Sequence, residues 1–131
     1  MKEVYDFIKK CPAYQIATMD GDQPRVRPFS TLDIFEEKLY IQTGKVKNVF
    51  KQMQVNPKVE ISAYDGAGNW VRVTATVVSD DRLEAKKHML DAYPELKDIY
   101  KADDYNTAVL YLKDATATFY SFTAEPHEIN F

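Results

Sequence analysis

In the stretch "YIQTGKVKNVF", residues 40–50, a run of strand character meets a glycine and then takes up a helical rhythm. Lys45 and Lys47 fall in that loop, within a chain whose formal net charge is −3. Cations at a strand-to-helix loop, beside the N–H groups of a first helical turn, suit an anion such as a phosphate. A second cationic pair, Arg25 and Arg27, stands in "RVRPFSTLDIF". If "EEK" closes a hairpin centred between Glu36 and Glu37, Ser30 faces Thr43 and Arg27 lies near Val46. Both arginines then approach the end of the hairpin where the lysines leave it. With the Ser30 and Thr43 hydroxyls they form a phosphate cradle. The same residues also suit a solvated loop, where exposed lysines contribute little. The loop lacks the GxxxxGK[ST] pattern of nucleoside triphosphatases, and no GxGxxG follows the first strand, which removes the usual dinucleotide fold.

The elements that must position these residues follow from hydrophobic spacing. Val4, Phe7 and Ile8 predict a short amphipathic helix over residues 3–10, stopped by Pro12. "AYQIATM" (13–19) reads as a strand and "DGDQP" (20–24) as a hairpin turn of the Asp-Gly type. "RVRPFSTLDIF" continues as a second strand, with Pro28 marking an edge, a bulge or an irregularity, and "LYIQT" makes a third. Val46, Val49, Phe50 and Met53 share one face of a helix that ends before Asn56-Pro57. "KVEISAYD" and "NWVRVTATVVS" alternate as half-buried strands do, separated by Gly66-Ala67-Gly68. In "DDRLEAKKHMLDAYPELKDIY", Asp80 or Asp81 caps a helix with a stripe of Leu83, Lys87 and Leu90 with Met89, and Pro94 divides the segment. "TAVLYLKD" and "ATATFYSF" add two more strands. The pattern predicts one domain over residues 1–131 of the α+β class, mainly antiparallel β, with about six or seven strands in a barrel.

Bulk properties narrow the function. A chain of 131 residues buries roughly two thirds of its unfolded surface and needs no disulfide or metal staple. Its negative charge argues against a general nucleic-acid binder, so a cationic site here is local. The single cysteine, Cys11, has no partner for an intramolecular bridge and reads as a structural thiol. No apolar stretch approaches a membrane span, and the charged N-terminus "MKEVYDFIKKCP" lacks a signal-peptide core, so a cytoplasmic protein is expected. His88 and His127 stand alone, no Ser-His-Asp or Cys-His arrangement is visible, and no metal ligand set or catalytic side chain is assigned.

Taken in order, "IATMDGDQPRVRPF", "LYIQTGKVKNVFKQMQVNPKVEIS", "NWVRVTATV" and the late "ATFYSF" resemble the flavin-binding split-barrel family of pyridoxamine 5′-phosphate oxidase. Within it the chain is most similar to the small branch of Nim nitroimidazole-resistance reductases and general-stress-type flavoproteins. That resemblance implies a six-stranded antiparallel split β-barrel with flanking short helices, an FMN cofactor, and a homodimer with FMN at the subunit interface. It makes Arg25 and Arg27 phosphate partners and sets Pro28, Phe29 and Ser30 along the isoalloxazine. It puts Thr43, Lys45, Lys47 and Asn48 on the phosphate side with Gln42 adjoining, and brings Trp70 to the flavin ring. By residue type alone, Trp70 suits a core or interface aromatic. The chain carries Ala75 where the family commonly has glycine, and "EPHEINF" lacks the terminal Arg-Trp-Arg-like motif of the vitamin B6 oxidases. Oxidation of pyridoxamine phosphate itself is therefore not expected.

The resemblance implies an FMN-dependent oxidoreductase moving electrons from a reduced nicotinamide, NAD(P)H, to a small aromatic, quinone or nitro-substituted acceptor. Such an enzyme needs no side-chain general base, which agrees with the missing acid–base constellation. The alternative is a non-catalytic flavin or haem binding protein, or a stress-related sensor, on the same barrel.

Overall fold

A computed structural model describes all residues 1–131. Helix α1 (Lys2–Lys9) precedes strands β1 (Tyr14–Asp20), β2 (Gln23–Phe29), β3 (Asp33–Phe35) and β4 (Lys38–Gly44). Helix α2 (Asn48–Val55) leads to β5 (Lys58–Tyr64) and β6 (Asn69–Ser79). Helix α3 (Leu83–Ala92) and a 3-10 turn (Pro94–Asp98) precede β7 (Thr107–Ser121) and β8 (His127–Asn130). All ladders are antiparallel, in the order β2-β1-β5-β6-β7-β4-β3 with β8 on β7. No ladder joins the β2 end to the β3–β4 end, so the sheet is curved but not closed.

The class and the split are as expected, while the strand count differs. The expected second strand is two: β2 pairs only with β1, and β3 only with β4. The β3–β4 hairpin is centred between Glu36 and Glu37, as the spacing predicts, with Asp33 opposite Tyr40 and Phe35 opposite Lys38. Between the strands the chain leaves the ladder, so Ser30 does not pair with Thr43. The Thr31 side chain replaces the backbone pairing there, its hydroxyl accepting from the Gln42 amide at 3.1 Å and donating to the Gln42 carbonyl at 3.2 Å. Pro28 sits on the edge strand, where a missing donor is tolerated. "TAVLYLKD" and "ATATFYSF" form one long strand bent at Asp114, whose φ is +52°. The tail strand β8 adds to the expected count; its residues are mostly exposed and carry no apolar alternation that would mark it in the sequence.

Alternate residues of β1, β5, β6 and β7 fill one core: Ile16, Ile61, Val71, Val73, Leu110 and Ala117 are buried there with Val4 and Ile8 of α1. β4 is buried on both faces because α3 covers its outer side, where Tyr40 and Val109 pack against Ala85 and Met89. That corrects the expected stripe on α3. Leu83 and Lys87 are exposed, and the face turned inward is Ala85, Lys86, Met89 and Leu90. The N-cap position is Arg82; Asp80 acts just ahead of it, accepting from the Arg82 amide at 3.1 Å. No helix is long and apolar enough to cross a membrane.

Candidate functional site

Where the sheet splits, a cleft of about 230 Å³ opens between the end of β2 and the end of β4. Arg27, Pro28, Phe29, Ser30 and Thr31 form one side. Gln42 and Thr43 of β4, then Lys47 and Val49 at the start of α2, form the other, and Leu96 and Tyr100 arrive from the α3–β7 connection.

The loop between β4 and α2 is held from outside. The Lys45 amide donates to the Asn106 carbonyl at 2.7 Å, the Val46 amide to Asn106 Oδ1 at 3.1 Å, and the Lys47 amide to the Gly44 carbonyl at 3.0 Å. Gly44 permits this close packing: a Cβ there would lie 3.0 Å from both Asn106 Oδ1 and the Tyr100 hydroxyl. The expected backbone cradle is thus partly occupied by the protein itself. Helix α2 does begin at the loop, with Lys47 as an N-cap that supplies no side-chain bond.

Of the four expected cations, two line the cleft. Arg27 donates to Thr18 Oγ1 at 2.6 Å and to Gln52 Oε1 at 2.9 Å, and Thr18 itself donates to Gln52 Oε1 at 2.6 Å. These partners are neutral, so they fix the guanidinium without cancelling its charge. Burial, aided by neighbouring Arg25, pushes the Arg27 pKa down, yet a guanidinium stays protonated. Neither Arg27 nor Lys47 has a carboxylate partner. Arg25 and Lys45 do: Arg25 pairs with Asp20 at 3.2 Å, and Lys45 with Asp81 at 3.1 Å. The Lys45 ammonium holds the Asp81 carboxyl below its usual range.

Two residues of the lining carry buried polar atoms that are more telling. Gln42 is 5% exposed and Thr43 4%, yet Gln42 Nε2, Gln42 Oε1 and Thr43 Oγ1 have no hydrogen-bond partner. Leaving such a group unpaired costs about 1–3 kcal/mol, so each orphan calls for a partner the chain does not provide. A larger concavity of about 400 Å³ lies elsewhere, along β1, β5 and β6 with Lys58, Glu60, Thr74 and Thr76 in its lining. Neither Gln42 nor Thr43 belongs to its lining, so chemistry rather than size selects the β2–β4 cleft.

Seven of the eleven expected site residues therefore come together: Arg27, Pro28, Phe29, Ser30, Gln42, Thr43 and Lys47. Arg25 and Lys45 lie outside the lining, and Asn48 faces a neighbouring hollow with Asp20, Lys51 and Gln52. Trp70 stacks on Tyr120, centroids 5.4 Å apart, and is not part of the cleft. Ala75 lines the larger concavity instead. The sequence reading missed Thr31, Val49, Leu96 and Tyr100 as lining residues, and Thr18 and Gln52 as supports of Arg27. Only Thr31 had a signal: the hairpin centre sets it opposite Gln42.

An open antiparallel split barrel with a cationic cleft at its split defines the class. The chain belongs to the pyridoxamine 5′-phosphate oxidase family, whose profile matches residues 1–120. It is similar to a NimC/NimA family protein of Clostridium acetobutylicum at 45% identity and a TM-score of 0.96, covering 100% of this chain and 92% of that one. General stress protein 26 of Bacillus anthracis shares the fold at 15% identity and a TM-score of 0.74, over 98% and 97% of the chains. So does a pyridoxamine 5′-phosphate oxidase-related FMN-binding protein of Nostoc punctiforme, at 14% identity and 0.69, over 97% and 90%. No curated protein sequence matches the chain.

Proposed function

We propose that the protein is an FMN-dependent oxidoreductase that takes electrons from a reduced nicotinamide and delivers them to a small aromatic, quinone or nitro-substituted acceptor. The observation that carries this reading is the pairing of two cations lacking counter-ions, Arg27 and Lys47, with the orphaned polar atoms of Gln42 and Thr43. FMN fits that combination. Its phosphate needs cations, and its ring offers both hydrogen-bond donors and acceptors to an amide that has one of each free. When bound, FMN supplies the electron-transfer chemistry. The chain's residues bind the phosphate, orient the ring along Pro28 and Phe29, and keep water from it. No His, Asp or Glu lines the cleft, which agrees with chemistry carried by a cofactor.

A homodimer belongs to the proposal. About 230 Å³ is less than the roughly 300–1,000 Å³ of typical small-molecule sites, so a second copy completes the enclosure. Trp70, outside its own cleft, is available for that wall. A reducing cytoplasm suits both the nicotinamide donor and the free thiol of Cys11. A haem carrier is less well supported: His88 bonds Asp33 at 2.9 Å, His127 lies beside Glu3 and Phe119, and neither lines the cleft.

The test is a titration of apoprotein with FMN, with riboflavin as the ligand lacking the phosphate. FMN should bind at least tenfold more tightly, and Lys47→Ala should remove most of that advantage while Lys45→Ala, already paired with Asp81, removes little. Failure to bind either flavin would overturn the cofactor assignment. Binding without NAD(P)H oxidation across a panel of quinones and nitroaromatics would leave a flavin-binding protein without turnover.

A further inference from the structure

We propose that Tyr100, supplied by the α3–β7 connection, is a phosphate ligand of the cleft, its phenol O–H donating to the same anion that Arg27 and Lys47 attract. The inference rests on the flavin reading above and adds a residue from outside the β2 and β4 segments.

Three tyrosines are buried: Tyr14, Tyr40 and Tyr100. A buried phenol ordinarily finds a partner. The Tyr14 hydroxyl donates to the Thr31 carbonyl at 2.6 Å, and the Tyr40 hydroxyl to Asp80 Oδ2 at 2.7 Å. Tyr100 is 7% exposed, and among the side-chain hydrogen bonds of the chain its hydroxyl takes part in none. It lines the cleft together with Thr43 and Gln42, and unlike their closed-off polar atoms its oxygen keeps contact with solvent, where a ligand can meet it.

Its position within the cleft decides what it meets. The hydroxyl lies against Gly44, 3.0 Å from where a Cβ would stand. Gly44 is the residue whose carbonyl anchors the Lys47 amide, and it directly follows Thr43. The phenol therefore abuts the turn that carries Lys47, at the cationic end of the cleft. Phe29 and Pro28 belong to the facing strand. Tyr100 is not loosely placed. Its amide donates to the Leu96 carbonyl at 2.8 Å, and the far end of the same connection is tied to the lysine loop through Asn106 and through the Gly44–Thr107 pair of the β4–β7 ladder. A neutral donor that shares a cleft with two uncompensated cations is suited to an anion with several acceptor oxygens. Gly44 is what makes the arrangement possible, because any side chain there would take the space of the hydroxyl.

Tyr100→Phe removes the hydroxyl while keeping the ring that lines the cleft. Wild type and variant are titrated with FMN and riboflavin, and inorganic phosphate is used as competitor against FMN. The expected result is FMN affinity lower by about tenfold to a hundredfold, unchanged riboflavin affinity and weaker competition by phosphate. The apoprotein melting temperature should not fall, since the hydroxyl bonds nothing within the chain. Unchanged FMN affinity would overturn the assignment while the flavin reading stood. An equal loss for both flavins would also overturn it, placing Tyr100 on the ring or ribityl chain instead. If wild type bound neither flavin, the cofactor reading and this assignment would fall together.

Discussion

At the scale of single residues, the cleft is built from groups that are costly to leave empty. Gln42 is the clearest case, with donor and acceptor both buried and both without partners. Folding the apoprotein must absorb that desolvation, and a ligand that satisfies the amide recovers it. Gln42→Leu should therefore stabilise the apoprotein by about 1–2 kcal/mol in urea denaturation while weakening flavin binding. A variant less stable than wild type without flavin would show that Gln42 already has a partner. Charges at the site follow similar reasoning. The cations facing the cleft are held by neutral groups or by none, whereas Arg25 and Lys45 are compensated by Asp20 and Asp81. A lysine count along the loop cannot reveal this, because Asp81 reaches Lys45 from a segment 36 residues away.

At the scale of elements, helix α3 is fastened over β4 by a charged network. Arg82 donates to both oxygens of Glu36, at 3.1 and 3.0 Å, and to Asp80, which also accepts from the Tyr40 hydroxyl. Glu36 pays for its place in the turn with a left-handed backbone, φ +48°. Hydrogen bonds from Arg82, with a smaller contribution from Tyr40, outweigh burial and hold the Asp80 carboxyl down from 3.8 to about 2. A folded-state pKa below the unfolded one stabilises above the unfolded value and is lost as pH falls through the folded value. Asp80 should thus contribute about 2 kcal/mol at neutral pH, fading between about pH 4 and pH 2. In chemical denaturation, the difference between wild type and Asp80→Asn should stay level from about pH 5 to 8 and shrink across that acid window. A difference independent of pH would assign the effect to packing. Local pattern did disclose much of this architecture: the Glu36–Glu37 hairpin centre, the α2 boundary at Asn56 and the β5–β6 pair all follow from alternation and breakers. It failed where tertiary contacts override it. Ala85 displaces Leu83 from the buried face of α3 because a small residue lets the helix approach Tyr40, and Thr31 ends a strand by bonding Gln42 through its side chain. Tyr100 was beyond local pattern altogether, since its role depends on a connection folding back onto Gly44.

At the scale of the whole molecule, the open edge and the small volume of the cleft both bear on the proposed dimer. β2 is a seven-residue edge strand whose residues are all exposed or half-buried, with Val26 62% exposed, and it borders the cleft through Arg27, Pro28 and Phe29. An exposed edge of this kind is usually covered or blunted, and charged Arg25 with Pro24 and Pro28 discourages simple strand addition. In the proposed dimer, the face of a second copy would cover this edge and wall the cleft. Further apolar surface is available for such a contact in Phe122, 81% exposed beside Trp70, and Tyr64, 53% exposed and paired with Trp70 across β5 and β6. The protein should therefore sediment at twice its 15.1 kDa chain mass. If FMN is shared between copies, it must also shift the monomer–dimer balance by mass action, so dilution should release flavin and subunits together. Trp70→Ala should then weaken FMN binding in the dimer, although Trp70 lies outside the cleft of its own chain. A monomer that holds stoichiometric FMN and keeps it on dilution would show that one chain completes the site, with Tyr100 and the α3–β7 connection as its only cover.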